Sequence, residues 1–247
     1  MSLNTWRGAV HINTIGQLAF GAVLSIVVAG CSPLRDQRAI FDSKQALGRR
    51  KKNVEELVEV RGRLRKIIET KLKAAQLLES TDRVLGRKFM EMGNYALAEE
   101  VLREAETLKP TNPYIKMDLG ECWYFLGIST VEQEKRPGHF ARSKRYFLMA
   151  LDLKPDLYEA RYGYGLLLFF AYGDTPGAIK EMSKLIEERP GFGDAHFALG
   201  RFYYESGELE KALGEYLTLT RILSKNSAEK KKAEENIERI NRERASQ

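Results

Sequence analysis

Few side chains in this sequence of 247 residues are equipped for covalent or acid–base chemistry. There are three histidines, His11, His139 and His196, and none has an evident nucleophile beside it. No G-x-x-x-x-G-K-[ST], G-x-S-x-G, H-E-x-x-H or C-x-x-C occurs. Gly163 and Gly165 form a G-x-G, but within a helical run and with no strand before it, so a dinucleotide site is excluded. The two cysteines differ in setting. Cys122 stands among helical residues, where a small buried side chain is expected. Cys31 ends the apolar stretch LAFGAVLSIVV from Leu18 to Val28, through Ala29 and Gly30. The chain is therefore expected to have no catalytic residue, no metal ligands and no cofactor, and not to be an enzyme.

The stretch before Cys31 has the length of a signal-peptide core and is too short to span a bilayer as a helix. Arg7 is the only charged residue among the first thirty. Val28-Ala29-Gly30-Cys31 resembles the lipobox of bacterial lipoproteins: an aliphatic residue, two small ones, then cysteine. That resemblance implies a diacylglycerol on Cys31, cleavage before it and often acylation of the new amine. Two or more acyl chains hold a protein stably where one does not. Ser32, rather than Asp, is similar to members sorted to the outer membrane. Residues 1–30 are thus expected to be a lipoprotein signal peptide, and the mature chain to be a cell-membrane lipid anchor protein facing the periplasm.

Without those residues the formal charge falls from +6 to +5. Lys and Arg alternate with Glu along most of the helical segments, the pattern of solvated faces, and no nucleic-acid partner is expected. The basic run Arg49-Arg50-Lys51-Lys52 reads as a solvated stretch before a helix.

The strongest signal is internal repetition. Leu85-Gly86, Leu119-Gly120, Tyr164-Gly165 and Leu199-Gly200 each precede an aromatic or Leu by three to four residues: Phe89, Trp123, Leu168 and Tyr203. Small residues and a closing proline follow: Ala98, Ala105 and Pro110; Ser143, Ala150 and Pro155; Ala178 and Pro190; a fourth unit has Ala212 and Tyr216 without the proline. Gly86 to Gly120 is 34 residues and Gly165 to Gly200 is 35, whereas Gly120 to Gly165 is 45. These residues resemble the tetratricopeptide repeat, over residues 79–226. The resemblance implies an all-α solenoid of about four helix pairs, with residues 81–226 as repeats. An insertion near 128–139 is expected to lengthen the helix before it and to form a loop at Arg136-Pro137-Gly138.

In that family the first helices of successive pairs line a concave groove for a peptide or a partner helix. Carried over by register, the partner-binding groove comprises Arg83, Arg87 and Met90, then Tyr114, Met117, Glu121, Tyr124 and Phe125. Tyr162, Leu166, Phe169 and Phe170 follow, and Phe197, Arg201 and Tyr204 complete it. Burial of many of these as core is the competing expectation, strongest at the all-apolar Leu166–Phe170. The family's carboxylate clamp needs Lys, Asn and Arg at positions that here hold Arg83, Arg87, Glu121, Tyr162 and Leu166, so chaperone C-termini are not the expected ligand.

Residues 31–52 show little periodicity and read as a lipid-anchored tether. Asn53 and Glu56 resemble a capping arrangement that opens a helix over 53–80, with Leu57, Val60, Leu64, Ile67, Ile68, Leu72 and Leu78 as an apolar stripe packing on the solenoid. Residues 227–247 read as a charged capping helix with Ala233, Ile237 and Ile240 on one face. The functional expectation is a scaffold or assembly factor that binds an envelope protein or peptide segment. The alternative is a hydrophobic-ligand-binding accessory, similar to the tetratricopeptide lipoproteins of some TRAP transporters.

Overall fold

The computed structural model describes residues 33–49, 54–224 and 227–246. The expected signal segment, the expected lipidation site Cys31 and the expected cap Asn53 lie outside them. Among the described residues there are ten α-helices, one 3-10 turn and no strand, and no helix is long and apolar enough to cross a membrane. The chain divides into two compact units between Leu77 and Leu78.

In the first unit, helix α1 (Pro33–Gly48) pairs with the beginning of α2 (Val54–Glu91). A helix over 33–48 replaces the expected irregular tether. Its periodicity was hidden because the inward positions are small or polar: Ala39 is half-buried, Ser43 and Ala46 are buried, and Asp36 meets Lys71 at 3.5 Å. Within this unit Val60 is buried, but Ile68 and Leu72 of the α2 stripe are 64% and 57% exposed. No break falls near residue 80 either; α2 runs on through Glu91, since the stretch from Leu64 to Lys88 has no proline and good helix formers flank Ser80-Thr81-Asp82 on both sides.

The second unit is a run of helix pairs. The end of α2 pairs with α3 (Tyr95–Leu108), α4 (Pro113–Ser129) with α5 (Arg136–Leu153), α6 (Tyr158–Tyr172) with α7 (Thr175–Glu188), and α8 (Gly193–Glu205) with α9 (Leu209–Ile222). Helix α10 (Ala228–Ala245) then packs on α9, burying Ala233 and Ile240, and Ser227 caps it. The glycine of each first helix lies against its second helix. A Cβ at Gly86, Gly120, Gly165 or Gly200 would stand 2.5, 2.8, 2.7 or 3.0 Å from Leu102, Phe147, Met182 or Tyr216. Small residues on the second helices, Ala98, Ser143, Ala178 and Ala212, are fully buried, and the Ser143 hydroxyl is satisfied by donating to the Gly120 carbonyl at 2.7 Å.

The turns repeat as well. Gly93, Gly173 and Gly207, with φ of 73°, 64° and 75°, close three of the four pairs in the left-handed conformation that lets a helix end and reverse. Second helices end at Lys109, Lys154 and Arg189, each in non-helical backbone immediately before a proline. Asn112 then caps α4 by accepting from the Tyr114 amide at 3.0 Å.

The second pair departs from this plan. α4 is longer than α6 or α8, as the insertion suggested, but the expected loop at Arg136–Gly138 is helix. Pro137 falls in the first turn of α5, where its missing N–H costs nothing, so the connection is 130–135 with a 3-10 turn at Gln133–Lys135.

Candidate functional site

On α4 the residues Met117, Glu121, Tyr124 and Phe125 recur at spacings of four, three and one, so they share one face. Tyr162, Leu166, Phe169 and Phe170 do the same on α6, and Phe197, Arg201 and Tyr204 on α8. Direct packing of α4 on α6 and of α6 on α8 sets these faces side by side.

Two cavities open there. The first, about 230 Å³, is walled by Arg87, Met117, Glu121, Tyr124, Phe125, Tyr162 and Leu166 among others. The second, about 560 Å³, takes Tyr162, Leu166, Phe170, Phe197, Arg201 and Tyr204, with Arg239 from α10. Tyr162 and Leu166 belong to both, so the two are neighbours along one wall.

Four expected groove residues line neither cavity. Met90 packs on the core between α3 and α4. Tyr114 is 40% exposed with the Arg83 guanidinium 5.2 Å from its ring centre. Phe169 stacks on Phe202 at 4.1 Å as part of the core, so burial claims part of the Leu166–Phe170 run while Phe170 stays 43% exposed. Arg83, the fourth, is taken up structurally: its Nε donates to Asp118 Oδ2 at 2.6 Å, and Arg87 Nη1 donates to Oδ1 at 3.1 Å. Asp118 is wholly buried. Burial pushes its carboxyl up, against the pull of both arginines.

Electrostatics in the first cavity are set by burial. It raises Glu121, with the charge of Asp118 adding to the effect and Arg87 opposing it. It raises Tyr124 against Arg201, and pushes Tyr162 up to about 12 with help from Asp194 and Tyr124. Phe125 stacks on Tyr95 at 5.2 Å, which fixes one wall.

A second set of polar residues was not visible in the sequence. Four residues before each first-helix glycine stands a buried ionisable group: Asp82, Lys116, Arg161 and His196. Lys116 pairs with Glu106, which also accepts from the Tyr146 hydroxyl at 3.2 Å. Arg161 donates to Glu181 at 3.0 Å and to the Pro155 carbonyl at 2.8 Å. His196 meets Glu215 at 2.6 Å through Nδ1 and the Pro190 carbonyl at 3.0 Å through Nε2. The last two tie a first helix to its second helix and to the preceding proline turn. A shared offset from the repeat glycine was the available signal, masked by the different residue types. Asp82 breaks the series: an acid stands where the others are cations, one oxygen has no partner, and burial with Glu104 and Glu79 pushes it up to about 6.

None of this resembles a reaction centre. Both His196 nitrogens are engaged, and His139 Nδ1 lies 3.2 Å from the Thr130 hydroxyl beside Trp123. Cys122 is buried, donates to the Tyr95 carbonyl at 3.2 Å, and burial pushes its thiol up to about 12, far from a reactive thiolate. Among the described residues no group of His, Cys, Asp and Glu is placed to hold a metal.

The tetratricopeptide repeat family model matches residues 169–233, from the end of α6 into α10. Helix pairs, glycine contacts and proline turns of one kind extend that pattern back to α2. The fold is an α-solenoid of tetratricopeptide type. A thermophilic tetratricopeptide repeat protein from Thermus thermophilus superposes with a TM-score of 0.60 at 16% identity, covering 82% of this chain and 98% of that one. A tetratricopeptide repeat protein from Parabacteroides merdae gives 0.50 at 17% identity, covering 68% and 61%. Human IFIT1, solved as a dimer with PPP-AAAA, gives 0.60 at 19% identity, covering 74% and 43%. At these identities the likeness is one of fold. Among curated proteins, none matches this chain. Helical scaffolds of this type serve protein interaction, and the match is to a repeat rather than to a catalytic family.

Proposed function

We propose that this chain is a lipid-anchored scaffold, facing the periplasm, that holds an envelope protein against the first-helix faces of its solenoid. The observation that carries the reading is the pair of adjoining cavities walled by Tyr124, Phe125, Tyr162, Phe170, Phe197 and Tyr204. Aromatic side chains supply contact area at little entropic cost and are enriched where binding energy concentrates. The first cavity is smaller than the 300 Å³ or so at which sites that engulf a small molecule begin, and the second carries Arg201, Glu205 and Arg239. Size and charge therefore favour a polypeptide over the enclosed hydrophobic ligand of a transporter accessory. Attachment through Cys31 rests on the lipobox resemblance.

One experiment addresses both parts. The full chain, tagged at its C-terminus, is recovered from fractionated bacterial cells as wild type, Cys31→Ala and Phe170→Arg, and the proteins retained are quantified by mass spectrometry. Cys31→Ala is expected in the soluble fraction, without incorporated fatty acid. Phe170→Arg is expected to stay in the membrane fraction and to lose an envelope protein that the wild type retains at least about tenfold better. Membrane-bound Cys31→Ala contradicts the anchor; an unchanged set of retained proteins in Phe170→Arg contradicts the binding wall.

A further inference from the structure

The first cavity holds hydrogen-bond acceptors that the protein itself leaves unused. Asp118 and Glu121 are neighbours on α4, three residues apart, yet their surroundings differ. Asp118 takes both Arg83 and Arg87, at 2.6 and 3.1 Å. Glu121 forms no hydrogen bond or ion pair with any described residue, although it is largely shielded from solvent. Nor do the hydroxyls of Tyr124 and Tyr162, which line the same cavity. Three carboxylates, Asp118, Glu121 and Glu159, thus stand beside two guanidinium groups, and both of those are bound to Asp118.

A partly desolvated carboxylate is costly when the nearest guanidinium, that of Arg87, is already bound to another acid, and the cost falls when a ligand brings it a charge of its own. The remaining wall is apolar: Met117, Phe125 and Leu166. A cavity of about 230 Å³ has room for one long side chain. Among cationic side chains, lysine fits these acceptors best. Its ammonium has three rotatable donors that can turn to acceptors on three separate side chains at once, whereas arginine's planar fork would set two donors on the Glu121 carboxylate in one plane and leave less freedom to reach the two phenols.

We propose that this cavity receives the lysine side chain of an extended partner segment, with its alkyl stem against Met117, Phe125 and Leu166 and its ammonium on Glu121, Tyr124 and Tyr162. The inference rests on the first-helix faces being a protein-binding wall and specifies the chemistry of what they bind.

The test is selection of a phage-displayed library of random peptides on the immobilised full chain, run in parallel on wild type, Glu121→Gln and Phe170→Arg. Wild type is expected to enrich peptides with lysine at one fixed position among apolar residues. A synthetic peptide of that sequence is expected to bind about tenfold more weakly when its lysine is replaced by norleucine, and likewise to bind Glu121→Gln about tenfold more weakly. Glu121→Gln removes a desolvated charge and is expected to melt no lower than wild type. Should it misfold, the pair Tyr124→Phe and Tyr162→Phe carries the same test, each with a loss of about threefold. Lysine peptides that bind Glu121→Gln and wild type equally overturn the proposal. Enriched peptides that lack lysine and are lost in Phe170→Arg also overturn it, while leaving the binding wall in place. A wild-type selection that enriches nothing overturns both.

Discussion

His196 is a buried side chain whose two ring nitrogens are both committed to the fold. Pro190's carbonyl can only accept, so Nε2 must donate, and Nδ1 faces a carboxylate. The geometry calls for an imidazolium, and the hydrogen bond to Glu215 is the main cause that raises its pKa. With the folded pKa raised, the stabilisation is complete below the unfolded value of 6.5 and is lost as pH rises through the folded value. His196→Leu is therefore expected to cost about 1–3 kcal/mol in urea melts at pH 6 and clearly less at pH 9. An equal loss at both pH values would refute the imidazolium. Met117, Glu121, Tyr124 and Phe125 line the first cavity together, and Phe197, Arg201 and Tyr204 the second, because period 3.6 decides which side chains share a face. Register gave no sign of how Arg83 and Arg87 pair, because these arginines meet Asp118 across 35 and 31 residues, a contact that only the stacking of helix pairs creates.

Between helices, the tightest constraint is the glycine contact. Gly120 and Gly214 are both helical, but a Cβ on Gly120 would press into the buried Phe147 ring at 2.8 Å, whereas one on Gly214 meets nothing within 4 Å. Gly120→Val should destabilise by about 1–3 kcal/mol through overpacking, and Gly214→Ala should stabilise by up to about 1 kcal/mol through helix propensity, both read from chemical denaturation. Equal effects at the two sites would mean that the pairs are not packed as described. These contacts were legible because glycine, small residue and proline recur at fixed offsets. Helix α1 was not, since Asp36, Ala39, Ser43 and Ala46 make a stripe of small and polar residues that hydrophobic periodicity does not register. The insertion misled for a related reason: Arg136-Pro137-Gly138 has turn composition, but proline in a first turn begins a helix as readily as it ends one.

At the scale of the second unit, the helix pairs divide labour between their two members. Second helices bury their small residues and carry Glu181 and Glu215, which hold Arg161 and His196; first helices present aromatic and charged groups that the core does not consume. A chain organised only for stability has no reason to leave Glu121 unpaired beside two free phenols, or Phe170 43% exposed. The measurement that tests this division most directly is site-specific photocrosslinking in living bacteria, with a benzophenone amino acid at Phe170 on α6 and, in a separate strain, at the exposed Lys184 on α7. A discrete adduct from position 170 and none from position 184 is the predicted result. Adducts of equal yield from both positions, or from 184 alone, would contradict it.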